Sequence, residues 1–190
     1  MQETANRCGN SDVRRTAAYH LNVAHAIRPM KELNSYLNDH LAGSVSALEL
    51  IAHWAEVHKG EPLGSFFRET EEEIKGDQDT LRDVMRALGV EESKVRKAGA
   101  WAVEKLGRAR LIIAGDEPGS LGLVLTLEAL VMGVTGKKLM WRALAAAKLP
   151  QLNGYNFEEL QHGAEQQIRG IEAERIRAVS QAFAADIRSK

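Results

Sequence analysis

The chain has few of the residues that cross-link or interrupt a fold. Its 190 residues include one cysteine and four prolines, and aromatic side chains make up 5%. Because Cys8 is alone, no disulfide can form within the chain, which favours a reducing compartment. The few prolines and the abundance of alanine, leucine, glutamate, lysine and arginine favour long helices. No alternating run rich in β-branched residues indicates a strand.

A charge excess and a long apolar run are also missing. The formal net charge of -1 argues against a surface built for nucleic acid. The longest apolar stretch, residues 121–134, contains Glu128 and is shorter than the roughly 20 residues of a membrane-spanning helix. The first 15 residues lack the apolar core of a signal peptide. We therefore expect a soluble, cytoplasmic protein that binds neither nucleic acid nor membranes.

The residues that are abundant form a series of amphipathic segments. Residues 1–28 are interpreted as an N-terminal arm that is either a short helix over 11–28 or mobile, and residues 29–190 as one helical domain. The spacing of apolar residues predicts helices over 29–59, 62–88, 118–147 and 156–187, with a shorter one over 91–111.

Local chemistry predicts where these helices begin and end. Gly60 ends the first and Pro62 begins the second, because glycine suits a helix end and proline a first turn. Pro118 is expected in the first turn of the next long helix. Asn156, with Glu159 three residues later, predicts a capping box at the start of the last helix.

The helix predicted over 118–147 is apolar on most sides, so we expect it at the centre of the fold. We place Glu128 on its buried stripe, together with the apolar side chains of Leu121, Leu125, Met132 and Leu139. Gly133 and Gly136 are expected to allow close helix packing, since their spacing does not match a phosphate-binding loop.

The lengths of the segments predict a topology. Helices of roughly 25–32 residues are about 40 Å long, and the short loops after the first and third make their neighbours antiparallel. The piece over 91–111 spans roughly 30 Å as a helix, enough to carry the chain back along the bundle. The predicted fold is all-α, a four-helix bundle of two antiparallel hairpins joined by a long crossover that contains an extra helix.

This topology is the ferritin-like arrangement, and several local strings point the same way. Residues 36–43 (YLNDHLAG), followed by Glu49, resemble the first helix of an uncharacterised bacterial branch of the ferritin-like superfamily. Residues 127–137 (LEALVMGVTGK) resemble its third main helix, and residues 101–108 (WAVEKLGR) its crossover. The resemblance covers residues 33–183 and implies a ferritin-like bundle.

Members of this superfamily that bind two metals take one Glu from each of two helices and a Glu-x-x-His from each of the others. The resemblance implies a partial match through Glu49, Glu73, Glu128 and Glu172, with Asp77 as an alternative to Glu73. Counting residues from the helix ends at about 1.5 Å per residue places these carboxylates at a similar depth of the bundle. Gly76 and Arg175 stand where the two histidines would be. The implied di-metal motif is therefore degenerate.

Two interpretations of these carboxylates stay open. An all-oxygen site would suit hard cations such as iron, manganese or magnesium. Alternatively, a neighbouring cation (Arg175, Arg142 or Lys105) neutralises Glu128 in a structural ion pair.

Other polar and aromatic residues also have two interpretations. His40 and Ser44 lie one turn apart on the inner face of the first helix, as a ligand or proton-transfer pair or as satisfied core residues. Trp54, Trp101 and Trp141 are expected to be packing anchors whose indole N–H reaches solvent or a partner.

Three functions are compatible with these patterns. The first is a ferritin-like helical protein of unassigned biochemical role without a full di-iron site. The second is a di-metal carboxylate oxidoreductase, or an iron- or manganese-binding protein. The third is a helix-mediated interaction module that forms a homodimer. A large cavity between the helices would instead favour the binding of a small molecule.

Overall fold

The structure, a computed structural model, describes the backbone over 9–93, 115 and 117–188 and side chains over 31–93, 115 and 117–184. The predicted crossover helix over 91–111 falls largely outside the described residues, as do Trp101 and Lys105. The contacts divide the chain into two compact units, residues 1–37 and residues 38–190. The packing and the site described below lie within residues 38–190.

Every regular element among the described residues is helical, as the composition predicts. The elements are α1 (Gly9–Val57), α2 (Pro62–Ala87), α3 (Leu121–Ala147), a 3₁₀ helix (Pro150–Leu152) and α4 (Phe157–Arg188). None of the described helices is both long enough and apolar enough to cross a membrane.

The predicted start of the first long helix at Pro29 is wrong. Helix α1 begins at Gly9 and continues to Val57, so the segment over 11–28 belongs to the same element. A proline inside a helix removes one backbone hydrogen bond, but helix continues on both sides where the remaining bonds outweigh that loss.

The turn between α1 and α2 follows the prediction. Gly60 has a φ of +88°, which lies in the left-handed region that glycine tolerates, and α2 begins at Pro62. The start of α3 differs from the prediction, because Ser120 and not Pro118 marks it. Ser120 Oγ accepts a hydrogen bond from the backbone N–H of Leu123 at 3.2 Å.

Helix α4 begins as its capping box predicts. The backbone N–H of Glu159 donates to Asn156 Oδ1 at 3.1 Å. Asn156 Nδ2 in turn donates to Glu159 Oε2 at 3.2 Å, so the reciprocal bond joins the two side chains. This cap satisfies a backbone donor that would otherwise be exposed at the helix end.

Helices α1 and α2 form an antiparallel pair. Near their connecting turn, the rings of Trp54 and Phe67 lie 5.9 Å apart. Farther from the turn, Gln78 Nε2 donates to Ser44 Oγ at 2.8 Å. Because earlier positions of α1 meet later positions of α2, the two helices run in opposite directions.

Helices α3 and α4 form a second antiparallel pair. Close to their connection, the rings of Trp141 and Phe157 lie 6.2 Å apart. Far from it, Arg175 Nη1 of α4 lies 3.3 Å from Glu128 Oε1 of α3. The four helices share one core, whose buried side chains include Ile51, Trp54, Phe67, Ile74, Leu127, Leu130, Ala164 and Ile171.

The predicted buried stripe of α3 is wrong. Leu121, Met132 and Leu139 are 51%, 69% and 52% exposed. The buried face consists of Leu123, Val124, Leu127, Leu130, Val134, Trp141 and Leu144. Since α3 is apolar on most sides, its pattern does not determine which face turns inward. Glu128 turns outward with the exposed stripe, and its side chain is 45% exposed.

Candidate functional site

A cavity of about 240 Å³ lies between α1, α2 and α3. Its walls are mostly apolar, and the apolar side chains that line it include Ala47, Ile74, Leu81, Leu130, Val134 and Met140. A few polar side chains reach the same space from all three helices. A concave, largely apolar space with a small number of converging polar groups is the usual form of a small-molecule site.

Three glycines, which have no side chain, help to form this cavity. Gly43 of α1 and Gly133 and Gly136 of α3 line the cavity. A Cβ at Gly43 or Gly133 would meet no atom within 4 Å, and one at Gly136 would lie 3.9 Å from His40 Cε1. The prediction that Gly133 and Gly136 permit close helix packing is therefore wrong. Gly43 and Gly133 are exposed, which places them at the mouth of the cavity.

A buried ion pair forms one part of the wall. Lys137 Nζ of α3 donates to Asp77 Oδ2 of α2 and to Gln167 Oε1 of α4. Gln167 Nε2 donates to the same Asp77 oxygen at 2.9 Å. The Asp77 and Lys137 side chains are each only 14% exposed. Burial lowers the pKa of Lys137, and the negative charge of Asp77 opposes that change.

Neutral polar groups form another part of the wall. Gln78 Nε2 donates to Ser44 Oγ, which donates in turn to the Leu41 carbonyl at 2.7 Å. His40 and Ser44, which are predicted on the inner face of the first helix, both line the cavity. Burial lowers the pKa of His40, although the neighbouring Asp39 carboxylate acts in the opposite direction. The neutral imidazole is therefore favoured.

Trp141 lies at the edge of the cavity with an unsatisfied donor. The prediction that Trp54 and Trp141 are packing anchors is confirmed, since they are 2% and 0% exposed. The expected partner of the indole N–H is missing for Trp141, because Nε1 is buried without a hydrogen bond among the described residues. An unsatisfied buried donor costs about 1–3 kcal/mol.

The carboxylates predicted as metal ligands lie in different surroundings. Glu49 and Glu73 are exposed. Glu128 and Glu172 both contact Arg175, at 3.3 Å from its Nη1 and 2.6 Å from its Nη2. The hydrogen bonds from Arg175 lower the pKa of Glu172. Arg175 is thus the neighbouring cation that pairs with Glu128.

Asp77, the fifth predicted ligand, lines the cavity, where it contacts Lys137. Within the part of the chain that the structure describes, no group of three or more His, Cys, Asp or Glu side chains is placed to hold a metal ion. Iron or manganese binding stays a prediction that metal analysis tests.

Comparison with known proteins adds no assignment. No protein-family model, no curated protein and no solved structure matches this chain. The resemblance to the ferritin-like superfamily therefore stays a prediction.

Sequence reasoning did not identify Lys137, Gln78 or Trp141 as part of a cavity wall. A signal for Lys137 was present, because it is a charged residue in a mostly apolar helix and follows directly after Gly136. Glycine beside a buried charge on a core helix indicates a space with a polar wall.

Proposed function

We propose that this protein binds a small, uncharged and mostly apolar molecule in the cavity between α1, α2 and α3. The observation that carries the proposal is the cavity itself, which combines apolar walls with polar groups from three helices. The unassigned role expected from the sequence becomes, in this proposal, the binding of a ligand.

The volume limits the size of the ligand. A cavity of about 150 Å³ suffices for benzene, whereas sites for drug-sized ligands usually start at about 300 Å³. A space of about 240 Å³ lies between these values. It suits one substituted ring or an aliphatic molecule of similar size.

The charges of the wall favour a neutral ligand. Asp77 and Lys137 neutralise each other, and burial favours the neutral form of His40. Asp39, the other carboxylate of the wall, is exposed to solvent. A charged ligand would bring an unpaired charge into a mostly apolar space, which is costly unless a counter-charge is free. Both members of the buried pair are already engaged with each other.

Titration of the protein with ethylbenzene, followed by calorimetry, tests this proposal. Gly136→Leu puts a side chain beside His40 inside the cavity, and we expect it to weaken ethylbenzene binding by about tenfold or more. Gly76→Leu is the matched control, because Gly76 is exposed on α2, has open space at its Cβ and does not line the cavity.

Ethylbenzene that fails to bind the wild-type protein, or that binds the two leucine variants equally well, would contradict the proposal. Circular dichroism of both variants checks that each retains its helices. The comparison therefore measures occupation of the cavity and not a general effect of replacing glycine in a helix.

The scaffold of this proposal is the ferritin-like arrangement. Two antiparallel helix pairs with a shared core support it, and so does the long stretch of chain between α2 and α3. The predicted homodimer also stays part of the proposal, and the exposed Leu121, Met132 and Leu139 of α3 are consistent with it.

A further inference from the structure

The buried ion pair keeps one acceptor and one donor that its own hydrogen bonds do not use. Among the described residues, both hydrogen bonds to Asp77 go to Oδ2, so Oδ1 has none. Lys137 Nζ carries three N–H groups and uses two of them, on Asp77 and Gln167. Asp77 and Lys137 both line the cavity, so an acceptor and a donor lie side by side on its wall.

We propose that the ligand carries one neutral group that both donates and accepts a hydrogen bond, as an alcohol or a carboxamide does, and that this group binds Asp77 and Lys137. The group donates to Asp77 Oδ1 and accepts from the third N–H of Lys137. Its apolar part extends between Ile74, Leu81 and Leu130. This inference rests on the proposed function and names the chemical class of its ligand.

Charge explains why the polar group is neutral. A carboxylate would bind Lys137 but would lie beside the Asp77 carboxylate, and an ammonium would bind Asp77 but would lie beside Lys137. A hydroxyl or carboxamide adds a bond to each partner and leaves the ion pair intact. Hydrogen bonds to a charged partner are also stronger than those between neutral groups.

Gln167 of α4 holds the pair in position from the other side. It accepts from Lys137 Nζ and donates to Asp77 Oδ2, so both charged side chains are restrained before a ligand arrives. Polar groups that are already ordered lose little further freedom on binding, which improves affinity. Gln167 is therefore a positioning residue and not a ligand contact.

Two probes of nearly the same shape test the inference. Benzyl alcohol has a hydroxyl where ethylbenzene has a methyl group, so their difference reports the polar contact. The measured quantity is the Kd of ethylbenzene divided by the Kd of benzyl alcohol, in the wild-type protein and in the double variant Asp77→Leu/Lys137→Met. The difference in hydration of the two probes cancels when the two proteins are compared.

Both charges are replaced together because removing one partner of a buried pair leaves the other charge uncompensated. Leucine has the shape of aspartate, and methionine keeps most of the length of lysine. We expect the ratio to fall by about fivefold or more in the double variant, while ethylbenzene binding is retained.

The neighbouring pair of Lys138 and Glu165 provides the matched control. Lys138 Nζ of α3 lies 3.4 Å from Glu165 Oε1 of α4, and neither residue lines the cavity. The double variant Lys138→Met/Glu165→Leu likewise replaces one acidic and one basic side chain by leucine and methionine, and it should keep the wild-type ratio.

A second readout uses the wild-type protein alone. Benzyl alcohol should shift the side-chain amide NMR signals of Gln167 more than ethylbenzene does, because Gln167 donates to Asp77. The exposed Gln166, which contacts His162, is the internal reference. Equal shifts from both probes would overturn the inference even if the double variant does not fold.

The results separate the two proposals. If ethylbenzene binds but the ratio is the same in the wild-type protein and the Asp77/Lys137 variant, the polar group does not bind the pair and the cavity still binds a ligand. If neither probe binds the wild-type protein, both proposals are wrong.

Discussion

His40 experiences the clearest effect of the cavity on a single residue. Burial beside the cavity lowers the pKa of His40 in the folded protein, whereas a histidine in an unfolded chain has a pKa of about 6.5. Between these two pKa values the unfolded chain binds more protons than the folded chain. His40 therefore contributes a decrease in the free energy of unfolding as the pH falls through this range, which measurements at about pH 7.5 and about pH 5.5 compare.

We expect His40→Gln to make this decrease smaller, because the variant has no imidazole to protonate at this position. Urea unfolding at the two pH values, for the wild-type protein and the variant, measures the difference. His162→Gln is the control, since His162 is exposed on α4. A pH dependence that is the same in the wild-type protein and in His40→Gln would show that His40 titrates normally.

Glycines within single helices differ in what a methyl group would meet. At Gly133 of α3 an added Cβ has open space, so Gly133→Ala should stabilise the protein by about 0.5–1 kcal/mol through helix propensity. At Gly64 of α2 the Cβ would lie 2.1 Å from the His58 carbonyl oxygen. Gly64→Ala should therefore destabilise the protein by about 1–3 kcal/mol, because α1 and α2 must move apart.

Thermal and urea unfolding of Gly133→Ala and Gly64→Ala measures these two changes in stability, which we expect to have opposite signs. Gly76→Ala serves as a reference for helix propensity alone, since it has open space at its Cβ and lies away from the cavity. A stabilising Gly64→Ala would mean that the tight contact between the end of α1 and the start of α2 does not exist in solution.

For the whole molecule, the question is whether the four helices hold a metal. Arg175 contacts both Glu128 and Glu172, so a cation would have to displace a guanidinium from two carboxylates. We expect protein from cells grown with iron and manganese to contain no stoichiometric metal by elemental analysis, and Glu128→Gln to leave the metal content unchanged. About two metals per chain, lost in Glu128→Gln, would restore the di-metal carboxylate alternative.

Local chemistry accounts for what was predictable about the helices. Gly60, Pro62 and Asn156 mark their boundaries through contacts made within one turn, so neighbours along the chain suffice to recognise them. The prediction of a helix start at Pro29 was wrong because α1 continues through this proline. The backbone hydrogen bonds on both sides outweigh the one that proline removes. His40 and Ser44, which are predicted on the inner face of this helix, line the cavity.

The rotation of α3 was not predictable, and the metal-site interpretation depended on it. Placing Glu128 on the buried stripe brought the carboxylates together, whereas in the fold Glu128 faces outward to Arg175. An apolar residue on every side of a helix gives each rotation a similar burial energy. Which rotation forms is then decided by how α1, α2 and α4 fit around it.

The amino-acid order alone was sufficient for the helical class of the described residues, for most helix ends and for the antiparallel pairs, because these depend on residues close together in the chain. The cavity is lined by Gly43 of α1 and by Gly133 and Gly136 of α3, and its polar wall depends on the contact of Asp77 with Lys137. Such contacts join residues far apart in the chain, and side-chain packing among the assembled helices selects them.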